Sequence, residues 1–118
     1  MQVMQKKYSN SVRISYPRYG KEEIVKKINQ RLTLLKSKLP VLSIVLFGSY
    51  ATGNYTAASD IDVLVVYRGE QDDKAFQIVK ETLGIPGVEP HVYTDSQARE
   101  MSAIIQKMIQ NGIIVYQC

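Results

Sequence analysis

Apolar residues recur along this chain at two different periods, and each change of period marks the edge of an element. From Gly20 to Leu39 they fall at Ile24, Ile28, Leu32, Leu35 and Leu39, the three- and four-residue spacing of a helix with one face on a core. Pro40 cannot continue a helix, so it stops there. VLSIVLF, residues 41–47, is a continuous apolar run with β-branched side chains, the pattern of a strand covered on both faces. IDVLVVY, residues 61–67, has the same character. The helical period returns between Asp73 and Leu83 through Ala75, Phe76, Val79 and Leu83, and Gly84, Pro86 and Gly87 break it. VEPHVY, residues 88–93, is extended, and Pro90 within it predicts an edge strand. Thr94 or Asp95 can cap a further helix with Met101, Ile104, Ile105 and Met108 on its inner face, ended by Asn111 and Gly112. IIVY, residues 113–116, predicts a last strand.

Strands alternating with helices predict a single-domain α/β (α+β) fold. Residues 1–19 stand apart: polar and basic, with Val12, Ile14 and Tyr16 alternating with Arg13 and Ser15 before Pro17. They predict a basic N-terminal arm or edge strand ahead of a domain spanning 20–118.

Length and composition add bounds. A chain of 118 residues suits one domain and can bury about two thirds of its unfolded surface without a staple. A net charge of +4 is compatible with an anionic substrate such as a nucleotide but does not require one. Cys118, the single cysteine, can form no internal disulfide. MQVMQKKYSN lacks the apolar core of a secretory signal, and no run approaches the roughly 20 apolar residues of a membrane span. No membrane association and a reducing cytoplasm are therefore the expectation.

The chemistry concentrates in LFGSYATGNYTAASDIDVLVVY, residues 46–67. Asp60 and Asp62, one residue apart at the mouth of a buried strand, project from the same face. Two carboxylates so placed repel each other and call for a cation. Mg²⁺ suits them, since it takes one or two carboxylates together with substrate phosphates. Gly48 lets backbone approach a ligand closely, and Ser49 offers a hydroxyl and adjoining N–H groups at a helix start, where phosphate can bind. Singly, Ser49 reads as a helix cap and the aspartates as a solvated strand start. Together, Gly-Ser, ten residues and Asp-Ile-Asp between two buried strands would arise by chance in roughly one chain in several hundred.

The pattern resembles the signature of the DNA polymerase β-type nucleotidyltransferases. The short chain is similar to their minimal branch, the MNT domains paired as antitoxins with HEPN-domain toxins in prokaryotic modules. The matching residues are Gly48, Ser49, Asp60 and Asp62, within LFGSYATG and SDIDVLVV. The likeness is strong over 41–67 and rests elsewhere on element order and length. It implies a mixed sheet flanked by helices and the transfer of a nucleoside monophosphate, AMP from ATP, to a hydroxyl. It also implies two Mg²⁺ ions bridged by Asp60 and Asp62, with Gly48 and Ser49 holding the nucleotide and a third acid on a neighbouring strand. Relatives usually supply an aspartate there. Here VEPHVY offers Glu89 as ligand and candidate base, with His91 on the same face as a contributing ligand or a partly exposed edge-strand histidine. Asp95 is the rival, at a helix cap. The loop YATGNYTAAS has no basic residue, where many relatives carry one.

The resemblance suggests a HEPN-domain protein as partner, with a tyrosine hydroxyl as acceptor. Apolar surface on the sheet also allows a homo-oligomer. Two other readings stay open. One is a non-catalytic, nucleotide-binding antitoxin that acts by contact. The other is a nucleic-acid-binding module, for which the eight tyrosines are scattered and form no evident stacking platform. No phosphate loop of the G-x-x-x-x-G-K-[ST] type, no G-x-S-x-G elbow and no metal-spaced Cys/His cluster occurs.

Overall fold

A computed structural model describes residues 20–56 and 58–118; the expected N-terminal arm, 1–19, lies outside the described residues. The elements run α1 (Lys21–Lys38), β1 (Val41–Phe47), α2 (Ser49–Thr52), β2 (Ile61–Tyr67), α3 (Ala75–Leu83), β3 (Val88–Thr94), α4 (Asp95–Glu100), α5 (Ser102–Met108) and β4 (Ile113–Gln117). The four strands form one mixed sheet in the order β3-β2-β1-β4. β1 is antiparallel to both β2 and β4, whereas β2 and β3 are parallel, joined by the crossover through α3. Pro90 sits on β3, an edge strand as expected, where its missing N–H removes no ladder bond from a central strand.

The central strands bury both faces, which is why their sequences are continuously apolar. Ile61, Val63, Val65 and Tyr67 of β2 pack on one side with Ile44 and Leu46 of β1, under Ile24, Ile28 and Leu35 of α1 and Val79 and Leu83 of α3. Leu64, Val45, Phe47 and Ile105 form a smaller core on the opposite side, where Ala98, Met101 and Met108 of the α4–α5 segment cover the sheet. No helix among the described residues is long and apolar enough to cross a membrane.

Two expectations about helix faces are corrected. The helix read as continuous from Thr94 or Asp95 is two short ones that meet at Met101. The register of apolar positions shifts at that break, and Ile104 is 59% exposed. In α3 the buried stripe is Ala75, Val79, Thr82 and Leu83, so Phe76 falls beside it and is 41% exposed. Thr94 does cap α4: its hydroxyl accepts from the Gln97 N–H and the Gln97 side chain accepts from the Thr94 N–H, a reciprocal capping box.

Candidate active site

Three adjacent strands deliver the site. β1 ends at Phe47 and hands over to Gly48; β2 carries Asp62 as its second residue; β3 carries Glu89 and His91. Phe47 is the register partner of Asp62, and Asp62 that of Glu89. Register partners share a face, so Phe47, Asp62 and Glu89 form a row across the sheet, with His91 one step along on the same face. Asp60 lies exposed just before β2. The structure thus brings Gly48, Asp62 and Glu89 to one end of the sheet, with Ser49 opening α2 beside them.

Gly48 has φ 75° and ψ −155°, a backbone region open to glycine alone. The site explains the choice. A β-carbon at residue 48 would lie 2.5 Å from Asp62 Oδ2, a distance that real contacts do not reach. The bend after β1 therefore passes so close to the carboxylate that only a residue without a side chain fits.

The other oxygen is also engaged. His91 Nε2 lies 3.3 Å from Asp62 Oδ1. The imidazole stands edge-on to the Phe47 ring, with centroids 5.0 Å apart and planes at 63°. The side chains of Asp62 and His91 are 28% and 30% exposed, open enough for a small ion or a phosphate to reach and closed enough to hold their geometry.

The loop after the bend is built on local bonds. The Gly48 carbonyl accepts the N–H groups of Ala51 and Thr52, closing the single turn of α2, and Gly53 ends it in the left-handed conformation. Tyr55 returns over α2 and stacks on Tyr50, with ring centroids 4.2 Å apart and planes within 6°. Burial, and secondarily Tyr55, pushes the Tyr50 phenol above its usual pKa, so it remains neutral. Further along, the Thr56 N–H donates to the Ser59 hydroxyl at 2.9 Å.

Asp95 is elsewhere. Thr94 pairs with Tyr67 at the far end of β2, five residues beyond the Asp62–Glu89 pair. There Asp95 Oδ1 accepts the N–H groups of Gly69 and Ser96. A cavity of about 270 Å³ at that same far end, lined by Tyr67, Phe76, Tyr93 and Gln97 among others, contains none of the candidate residues.

The side chains here that could hold a cation are carboxylates: Asp62 and Glu89 in register, and Asp60 exposed just before β2. Among the described residues no group of three or more His, Cys, Asp or Glu side chains stands together so as to hold a metal ion by itself. Paired carboxylates are the ligand type that Mg²⁺ takes when phosphate and water complete its shell. Two features escaped sequence reasoning, the steric exclusion at Gly48 by Asp62 and the bond from His91 to Asp62. Strand alternation had placed His91 on the right face but could not name its partner.

A family model described as a nucleotidyltransferase domain matches residues 24–115, which include Gly48, Ser49, Asp60, Asp62 and Glu89. The chain belongs to the nucleotidyltransferase domain family. A relative from Methanocaldococcus jannaschii, named as a candidate protein adenylyltransferase, is 51% identical over 43 residues, 35% of this chain and 43% of that one. The chain spans less than half the length of the curated relatives it matches. The fold is similar to that of a candidate nucleotidyltransferase from Sulfolobus solfataricus, with a TM-score of 0.58 and 20% identity over 82% of this chain and 83% of that one. It is also similar to a chain in the structure of a tri-AMPylated Shewanella oneidensis HEPN toxin in complex with an MNT antitoxin, with a TM-score of 0.55 and 18% identity over 83% and 73%. These nucleotidyltransferase-like folds share the mixed sheet and flanking helices, and at such identities they speak to architecture alone.

Proposed function

We propose that this chain transfers AMP from ATP to a hydroxyl of a partner protein, acting as the antitoxin on a HEPN-domain toxin. The observation that carries the reading is the packing of Asp62 against Gly48, with Glu89 in register beside it. A structural acid on a strand has no need of a neighbouring strand end that only glycine can occupy. A phosphate-binding bend that must approach a metal-holding carboxylate does. The adenylyltransferase name of one relative and the AMPylated toxin in one similar structure point to AMP and to a protein acceptor.

Asp60, Asp62 and Glu89 would hold two Mg²⁺ ions, which when bound supply neutralising charge to the phosphates and acidify the attacking hydroxyl. The rest falls to the chain. Gly48 lets its backbone approach the triphosphate, and Ser49 donates its hydroxyl to a phosphate oxygen. Glu89, the most accessible acid of the row, accepts the proton of the acceptor hydroxyl. The acceptor oxygen bonds to the α-phosphorus, the bond from that phosphorus to its bridging oxygen breaks, and pyrophosphate leaves with the electron pair. A HEPN-domain partner would supply the acceptor tyrosine, and ATP chemistry of this kind belongs in the cytoplasm.

The test is incubation of the purified protein with α-labelled ATP, Mg²⁺ and a HEPN-domain protein from the same organism. Label on the partner, lost in Asp60→Ala and Asp62→Ala, is the expected result. Label surviving both substitutions overturns the assignment. A partner neutralised without label would favour the contact-only antitoxin, the reading to which the loop without a basic residue lends weight.

A further inference from the structure

We propose that His91 is a positioning residue: it fixes the Asp62 carboxylate so that one chosen oxygen faces the bend at Gly48, and it does not itself bind the cation. The inference rests on the reading of Asp62 as a metal-holding acid.

The two oxygens of Asp62 have different surroundings. Oδ1 is turned toward β3 and lies 3.3 Å from His91 Nε2, whereas Oδ2 is turned toward β1 and sits where a Gly48 side chain would be. A carboxylate rotates in a broad, roughly two-fold well about its last torsion, so strand geometry alone does not choose between the oxygens. His91 supplies the choice. An ionised carboxylate only accepts hydrogen bonds, so the Nε2 atom facing it must be the one that carries the proton. That atom has no lone pair to offer a cation held by Asp62, and the remaining lone pair of His91, on Nδ1, points away from that carboxylate. Its ring cannot readily swing away, because the edge contact with buried Phe47 backs it. The support thus crosses three strands: Phe47 on β1 braces His91 on β3, which orients Asp62 on β2 between them. An outer residue that orients a metal-holding carboxylate contributes through the ligand's aim.

Titration with Mn²⁺ in the presence of a non-hydrolysable ATP analogue tests this on the full chain, with Asp62→Asn, His91→Gln and His91→Phe as variants. His91→Phe keeps the packing on Phe47 but has no donor; His91→Gln keeps an N–H donor. The expected result is a roughly 10- to 100-fold weaker Mn²⁺ affinity in His91→Phe, with recovery to within about three-fold in His91→Gln. The metal-free melting temperature of His91→Phe should stay close to that of the parent. Equal losses in both His91 variants would make His91 a ligand, and undiminished affinity in His91→Phe would make it mere packing; either overturns the proposal. A metal-free ¹⁵N spectrum adds a measurement independent of any variant: a proton on Nε2 supports the proposal, and an Nε2 without one overturns it. Undiminished Mn²⁺ affinity in Asp62→Asn would instead strike at the underlying site.

Discussion

Asp62 stands where Gly48 has no side chain: a β-carbon on residue 48 would come within 2.5 Å of Oδ2 and 3.3 Å of Cγ of that carboxylate. Gly48 follows directly on β1, whose last residue, Phe47, is the antiparallel register partner of Asp62 on β2. The close approach is therefore built into the sheet.

Gly48→Ala should fail in two ways at once. The backbone conformation carries about 1–3 kcal/mol of strain for any other residue, and the new methyl must displace Asp62. A lower melting temperature and lost AMP transfer are expected together. Gly53→Ala is the control, since Gly53 is also left-handed but has nothing within 4 Å of the added carbon. It should cost about 1–2 kcal/mol and leave transfer intact. Thermal denaturation and a labelled-ATP assay on the same preparations separate the two.

Removing single charges should reveal unequal structural roles behind a shared chemical one. Asp60→Asn and Asp62→Asn are each expected to slow transfer by about a thousand-fold, roughly 4 kcal/mol of barrier. Only the second changes a contact visible without ligand, the bond to His91. Circular dichroism should show both variants folded; an active Asp62→Asn protein contradicts its assignment.

The third acid can be decided by exchange. Glu89→Gln is expected to depress transfer strongly, because Glu89 is the register partner of Asp62. Asp95→Asn should leave transfer alone and lower stability by about 0.5–1 kcal/mol, since it weakens the contacts of Asp95 with the N–H groups of Gly69 and Ser96. The opposite outcome in the transfer assay would assign the ligand role to Asp95.

The stacked tyrosines predict an alkaline effect. Burial holds the Tyr50 phenol above its ordinary value, with Tyr55 adding to the shift. The folded protein then keeps that proton where the unfolded chain releases it, so stability falls as pH rises past about 10 and is unaffected by this group below it. Melting temperatures measured between about pH 9 and 11 should drop less steeply in Tyr50→Phe than in the parent. Equal slopes would remove Tyr50 as a source.

Much of this was legible in the chain itself, for identifiable reasons. VLSIVLF and IDVLVVY are strands at the expected residues, 41–47 and 61–67, because a glycine bend and a polar loop bound each abrupt apolar run. Alternation put Asp60 with Asp62 on one face and Glu89 with His91 on one face, whereas bringing Glu89 beside the aspartates was an expectation from the family resemblance; the register pairs Asp62 with Glu89. Side-chain faces of short helices were less legible. Phe76 differs from the buried stripe of α3 by one position, about 100° of rotation, and nothing in nine residues fixes the stripe that finely. Ile104 was misread because spacing carried across Met101 assumed an unbroken helix. The bond between His91 and Asp62 depends on the parallel register of β2 and β3, which a crossover of twenty residues leaves undetermined until the sheet forms.

β3 pairs with a single strand, yet it carries Glu89 and His91, while Asp62 lies on a central strand and Gly48 follows directly on another. Such a border segment frays before the interior does. When it lifts, the candidate site is divided: Asp62 stays behind without His91, and Glu89 departs. Backbone amide deuteration should therefore run ahead at Val92 and Tyr93 compared with Val63 and Val65. A partner that clasps this border would, on the proposed reading, do more than present a hydroxyl, because it would also keep Glu89 and His91 beside Asp62.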